Sequence, residues 1–224
     1  MKKCVVVSAL LVAASTSFGG TLNWNPVAGS DDFMAQANWN NVAFTTASDS
    51  LRVGGPIATY PNSASLAKLT TAFGVADGAG NLNDALVVGG YKFEGHFELA
   101  CAASTAYFRS IIVGDTKTAS TDNASTMVIT SGTIANGPTS VDTGYMTIGR
   151  NNTVNGIQGV GYLYVNGGAV KMDRMTIGEQ MSSSLSTAPG LGHVILQNNG
   201  VINLACQKTF DPVSYVGLKL NNGD

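Results

Sequence analysis

Catalysis or metal binding in this 224-residue chain would have to draw on a thin supply of side chains: two histidines, three cysteines, and 14 acidic against 12 basic residues. His96 and His193 each follow a glycine, with no cysteine or paired carboxylate at ligand spacing, so they read as outward residues at strand entries and not as zinc ligands or bases. Asp49, Asp84 and Asp173 each stand just before a short apolar strand. A calcium site would want several carboxylates converging, so these read as turn formers. Asp31-Asp32 is the one adjacent carboxylate pair lying near tryptophans, Trp24 and Trp39, a combination that could serve a sugar. In a Gly/Ser loop, however, such a pair more often caps a turn, which leaves Trp24 and Trp39 as the speculative glycan contacts. Glu98 alone among the glutamates falls on an identifiable strand, and Arg109, Arg150 and Arg174 are scattered. No nucleophile elbow, phosphate-binding Gly-Lys loop or zinc-protease His-Glu pair occurs. The expectation is therefore no catalytic residue, no metal and no cofactor.

The elements that would hold these residues are strands. Gly, Ser, Thr and Asn make up about 38% of the chain and Glu occurs three times, a balance unsuited to surface helices. A hydrophobic fraction of 44% with a net charge of -2 is too apolar and too weakly charged for disorder. It also offers no electrostatic handle for nucleic acid. Lys2-Lys3, the apolar run from Val5 to Ala14 and small residues ending at Gly19 form the order of a secretory signal peptide over residues 1–19, with cleavage expected after Gly19. The run is too short to span a bilayer, and no later apolar stretch reaches that length, so the mature chain is expected to be exported without a membrane span.

One four-residue element recurs: Leu51-Arg52-Val53-Gly54, Leu86-Val87-Val88-Gly89, Ile111-Ile112-Val113-Gly114, Met146-Thr147-Ile148-Gly149 and Met175-Thr176-Ile177-Gly178. Its glycines are 35, 25, 35 and 29 residues apart, within the range of solenoid repeats. Ser214-Tyr215-Val216-Gly217 is a sixth, less regular candidate. A second element falls between these copies: Gly95-His96-Phe97-Glu98-Leu99, Ser125-Thr126-Met127-Val128-Ile129, Gly161-Tyr162-Leu163-Tyr164-Val165 and Gly192-His193-Val194-Ile195-Leu196. Period-two alternation turns Phe97, Leu99, Met127, Ile129, Leu163, Val165, Val194 and Leu196 inward, and Glu98, Val128, Tyr164 and Ile195 outward. Three copies run into a Gly or Asn turn and a short third strand at Thr133-Ile134, Ala169-Val170 and Val201-Ile202. Units of about 30 residues that cannot bury their own apolar face, repeated in fixed order, predict an all-β parallel β-helix. An antiparallel β-sandwich is the alternative. The expected organisation is a signal peptide (1–19), a β-rich capping or entry segment (20–83) and solenoid repeats (84–224). The final residues stop within a fresh repeat, as in a fragment, and an uncapped ladder would allow end-to-end association. Cys101 and Cys206, about three repeats apart, would sit roughly 14 Å from each other and stay unpaired.

These repeats resemble those of large bacterial surface proteins, the autotransporter passenger regions and exported proteins with PEP-CTERM-type sorting tails. Trp24, Ala37-Asn38-Trp39 and Asp49-Ser50-Leu51 are similar to the opening segment of such proteins. The resemblance implies a right-handed, pectin lyase-like β-helix at a cell surface. Three functions follow as expectations: a non-catalytic structural or adhesive surface protein meeting polysaccharide or cell-surface components, a polysaccharide lyase or hydrolase, or a carbohydrate-binding module.

Overall fold

A computed structural model describes residues 21–39, 50–55, 59, 61–74, 85–90, 93–116, 124–136, 144–151, 159–180, 190–204 and 218–220. The proposed signal peptide, Asp49, Asp84, Cys206 and the Ser214–Gly217 candidate lie outside them. In chain order the strands are β1 (Thr21–Asn23), β2 (Ser50–Val53), β3 (Ala67–Leu69), β4 (Ala85–Gly90) and β5 (His96–Tyr107). There follow β6 (Ser110–Thr116), β7 (Ala124–Ala135), β8 (Tyr145–Asn151), β9 (Val160–Asn166) and β10 (Ala169–Met172). The last four are β11 (Arg174–Gln180), β12 (Leu191–Gln197), β13 (Val201–Leu204) and β14 (Leu218–Leu220). A single 3-10 turn, Gln36–Trp39, is the only helical element among the described residues.

All pairings between these strands are parallel, which rules out the sandwich, and they stack as a β-solenoid of about four turns. The first sheet runs β1-β2-β4-β6-β8-β11-β14. Its register places Leu51, Leu86, Ile111, Met146 and Met175 in one column, as the recurring element requires. β1 already belongs to this ladder, so stacking begins ahead of residue 84. The seventh strand is Leu218–Leu220, paired with Met175–Ile177. The ladder is thus continued by Leu218, four residues beyond the Ser214 candidate, which stands opposite Met175.

The second sheet carries two ladders. One joins β3, the first half of β5, the first half of β7, β9 and β12, aligning Phe97, Met127, Leu163 and Val194. The other joins the second halves of β5 and β7 to β10 and β13, aligning Ile134, Val170 and Ile202. Between the two ladders the chain turns through left-handed backbone at Gly132, Gly167 and Asn198-Asn199, residues for which that conformation is inexpensive.

The inward residues of the three ladders form one continuous core, from Leu51 and Val53 to Met175 and Ile177. The glycine closing each copy of the first element has positive φ, and at Gly149 the reason is visible. A Cβ built there would lie 2.2 Å from the Leu191 carbonyl oxygen, while one on Gly192 would lie 2.2 Å from that of Ile148. The two glycines bring consecutive rungs backbone to backbone, a seam also present at Gly54/Gly95 and Gly114/Gly161. The copy with Ser125 breaks the pattern: its hydroxyl occupies the place of a Cβ on Gly89, is fully buried and has no hydrogen-bond partner.

The end of the core towards the N-terminus is closed by an aromatic plug. Trp24, Phe33 and Trp39 pack with ring centroids 5.0 to 6.4 Å apart, and Phe33 meets both Phe73 and Phe97 at 5.5 Å. The Phe33 N–H donates to the Lys68 carbonyl at 2.9 Å and the Lys68 N–H to that of Asp31 at 2.6 Å, so residues 31–33 satisfy the outer edge of β3. At the opposite end of the second sheet, Leu196 is 52% exposed where alternation makes it a core residue. Its counterpart one rung earlier, Val165, is fully buried. Leu196 lies on the last strand of its ladder among the described residues, and packing from one side alone leaves it open.

Candidate binding face

The structure takes the two tryptophans out of contact with any polymer on the surface. Trp24 and Trp39 are 0% and 1% exposed, their faces covered by Phe33 and by each other. Their indole N–H groups donate to the Ser65 carbonyl at 3.0 Å and the Phe33 carbonyl at 2.7 Å, the ordinary satisfaction of a buried indole. Tryptophans outside a repeat have no periodicity to mark them as inward, which is why sequence left them as sugar contacts. Asp32 accepts the Met34 N–H at 2.9 Å in a tight turn, and Asp173 accepts the Gly144 N–H at 3.0 Å from the preceding rung. A shallow cleft of about 440 Å³ beside Asp31 is lined by Pro26, Val27, Asn62, Ser65 and Leu66.

Charged side chains converge in ladder fashion. Asp115, Arg150 and Glu179 occupy one column of the first sheet on successive rungs, with signs alternating as close stacking demands. The Arg150 guanidinium grips Asp115 with two bonds, Nε to Oδ1 at 3.0 Å and Nη2 to Oδ2 at 2.5 Å. Burial works against the Arg150 charge, but the bonds to Asp115 outweigh it and hold the guanidinium protonated to higher pH than usual. Thr147 donates to Glu179 at 3.3 Å. Arg174 lies 5.0 Å from the centroid of the Tyr145 ring, and Arg109 is exposed elsewhere. No group of three or more histidine, cysteine, aspartate or glutamate residues that could hold a metal ion occurs among the described residues. The Cys101 thiol is buried, faces the Ser104 carbonyl and is pushed up in pKa by that burial.

The outer faces of the two sheets differ. On the first, Val87, Ile112 and Thr147 alternate with core residues yet are 5%, 6% and 1% exposed, so the middle of that face is covered, while Arg52 and Thr176 on the flanking rungs are half-buried. On the first ladder of the second sheet, the outward residues Lys68, Glu98, Val128, Tyr164 and Ile195 are all partly open. Beside them runs a parallel column of His96, Thr126, Tyr162 and His193. Both histidines therefore sit outward at strand entries. His193 stacks on Tyr162 with centroids 4.6 Å apart and planes 13° from parallel, and Tyr162 lies 6.3 Å from Tyr164 at 14°. Lys68 pairs with Glu98 at 3.3 Å, and Thr130 donates to the same carboxylate at 3.1 Å. The Tyr-x-Tyr of β9, aligned with His193 one repeat later, is the sequence signal for this aromatic group.

Fold and face together define a β-solenoid, plugged by aromatics at one end, with one partly open flank of few charged residues. No protein-family model, curated protein or solved structure matches the chain. No helix among the described residues is long and apolar enough to cross a membrane.

Proposed function

We propose that this chain is a non-catalytic, exported structural or adhesive protein whose stacked repeats present a polar face to polysaccharide or other cell-surface components. The observation that carries the reading is the disposition of its charged groups. Asp115 and Arg150 form a buried pair, half-buried Glu179 accepts from Thr147 in the same column, and Lys68 pairs with Glu98, so these groups serve rung-to-rung cohesion. The likeness of the repeats to autotransporter passengers and PEP-CTERM-type proteins supports a cell-surface setting, and the Lys2–Gly19 pattern supports export.

Incubation of the full chain with a glycan panel, followed by product analysis on every hit, tests this function. Retention without new reducing ends or unsaturated products is expected. Release of oligosaccharides would make the protein a polysaccharide-degrading enzyme, and retention by nothing on the panel would remove the adhesive role. Export is checked separately by secretion from a bacterial host, where the secreted chain should begin at or near Gly20.

A further inference from the structure

We propose that the open flank of the second sheet, centred on Tyr164, binds a neutral polysaccharide by stacking a sugar ring against the outer part of the tyrosine. The inference rests on the surface-scaffold reading and names the site and ligand class within it. Tyr164 stands in an outward column between Val128 on the rung before and Ile195 on the rung after. Both neighbours are shorter than a tyrosine, and Tyr164 is only half-buried between them. Tyr162 differs, because His193 covers one of its faces at 4.6 Å. The rings of Tyr162 and Tyr164 are nearly parallel, 14° apart.

Charge selects the ligand. Apart from Lys68 and Glu98, which neutralise each other at 3.3 Å towards the plugged end, the described outward positions of this ladder hold no lysine, arginine or carboxylate. Lys171 stands exposed on the neighbouring ladder, but an anionic polymer lying along the Tyr164 ladder would find no lysine or arginine beside the tyrosine to compensate its own desolvation, whereas a neutral, hydroxyl-rich polymer meets none of that cost. Phenol hydroxyls at Tyr162 and Tyr164, with Thr126 and the Gln197 amide nearby, supply donors and acceptors for sugar hydroxyls. The ring face supplies an apolar surface for the C–H side of a pyranose. The opposite sheet cannot compete for this role, because its outer face is covered at Val87, Ile112 and Thr147.

Pull-down of the full chain on insoluble cellulose, chitin and starch, with polygalacturonate as the anionic comparison, tests the site. Three proteins are compared: the unaltered chain, Tyr164→Val and Tyr164→Phe. Valine suits a column that already holds Val128 and Ile195, so the fold should survive, and an unchanged melting midpoint verifies it. Retention on at least one neutral polymer is expected, weakened about tenfold in Tyr164→Val and largely kept in Tyr164→Phe. Equal binding by Tyr164→Val overturns the site while leaving the adhesive reading standing, and binding to polygalacturonate alone overturns the neutral ligand. Failure of the unaltered chain to bind any polymer overturns both. If Tyr164→Val instead changes sedimentation of the ligand-free chain, the flank pairs with a second copy and the inference falls.

Discussion

Replacing Gly149 with alanine puts the stacking geometry to a quantitative test. The residue has φ +69°, where an L side chain costs about 1–2 kcal/mol. The new methyl would start 2.2 Å from the Leu191 carbonyl oxygen and 2.3 Å from its carbon, against an ordinary contact of 3.4 Å or more. Neither atom belongs to a flexible side chain, so two rungs must part by roughly 1 Å, at about 1–3 kcal/mol for an overpacked site. The sum, about 2–5 kcal/mol, is a large share of the roughly 5–15 kcal/mol available to a folded protein. At about 2–4 °C per kcal/mol for a chain of this size, the melting midpoint should fall by about 4–20 °C. Gly29→Ala is the control: its φ is +82° but nothing lies within 4 Å of the added carbon, so only the conformational cost of about 1–2 kcal/mol applies. Thermal denaturation followed by circular dichroism at 218 nm reads both. Equal midpoints for the two variants would show that rungs do not meet at the glycine seam and would refute the register.

Three other perturbations probe separate contacts. Ser125→Ala removes a buried hydroxyl with no partner and should stabilise by about 1 kcal/mol, seen as a higher midpoint in urea; a lower midpoint would mean that the hydroxyl is bonded. Asp115→Ala removes the carboxylate that grips the buried Arg150 guanidinium and should cost about 3 kcal/mol, whereas Glu98→Gln at the more exposed Lys68 pair should cost under about 1 kcal/mol; urea midpoints for the two variants check the order. Cys101 should resist alkylation in the native protein and react quickly in denaturant, scored by mass spectrometry of its own peptide. Because its thiol is raised in pKa, the native reaction should gather speed only at more alkaline pH than for a free cysteine.

Much of the fold was legible because a stacked ladder writes itself twice, in strand alternation and in spacing between copies. The pairs His96↔Thr126, Thr126↔Tyr162 and Tyr162↔His193 reproduce an ungapped alignment of the second element. Departures from the repeat also carried meaning: serine replaces glycine at Ser125, and the outcome is an orphaned hydroxyl. Alternation fails where its premises fail. It assumes a rung on both sides, and Leu196 lacks one among the described residues. It says nothing of what lies over an outward face, such as the one that holds Val87 and Thr147. It does not extend to Trp24 and Trp39, whose burial depends on Phe33, Phe73 and Phe97 meeting from three separate segments. The candidate site was half legible for the same reason: Tyr164 was placed outward, but only the contrast between a covered sheet and an open one singles out its flank.

The uneven spacing of the seam glycines has a consequence for how this molecule can be altered. Between Gly89 and Gly114 the chain spends 25 residues on a turn, and between Gly114 and Gly149 it spends 35, yet Val88, Val113 and Ile148 remain one-to-one partners. Ten residues can therefore be gained or lost between copies of the first-sheet strand without moving it out of register, while in the second sheet the β5–β7 pairing shifts register near Ala100. Chain length and the geometry of the flank are decoupled, so a foreign peptide placed between β8 and β9 should travel as cargo while the column through Val128, Tyr164 and Ile195 keeps its pitch.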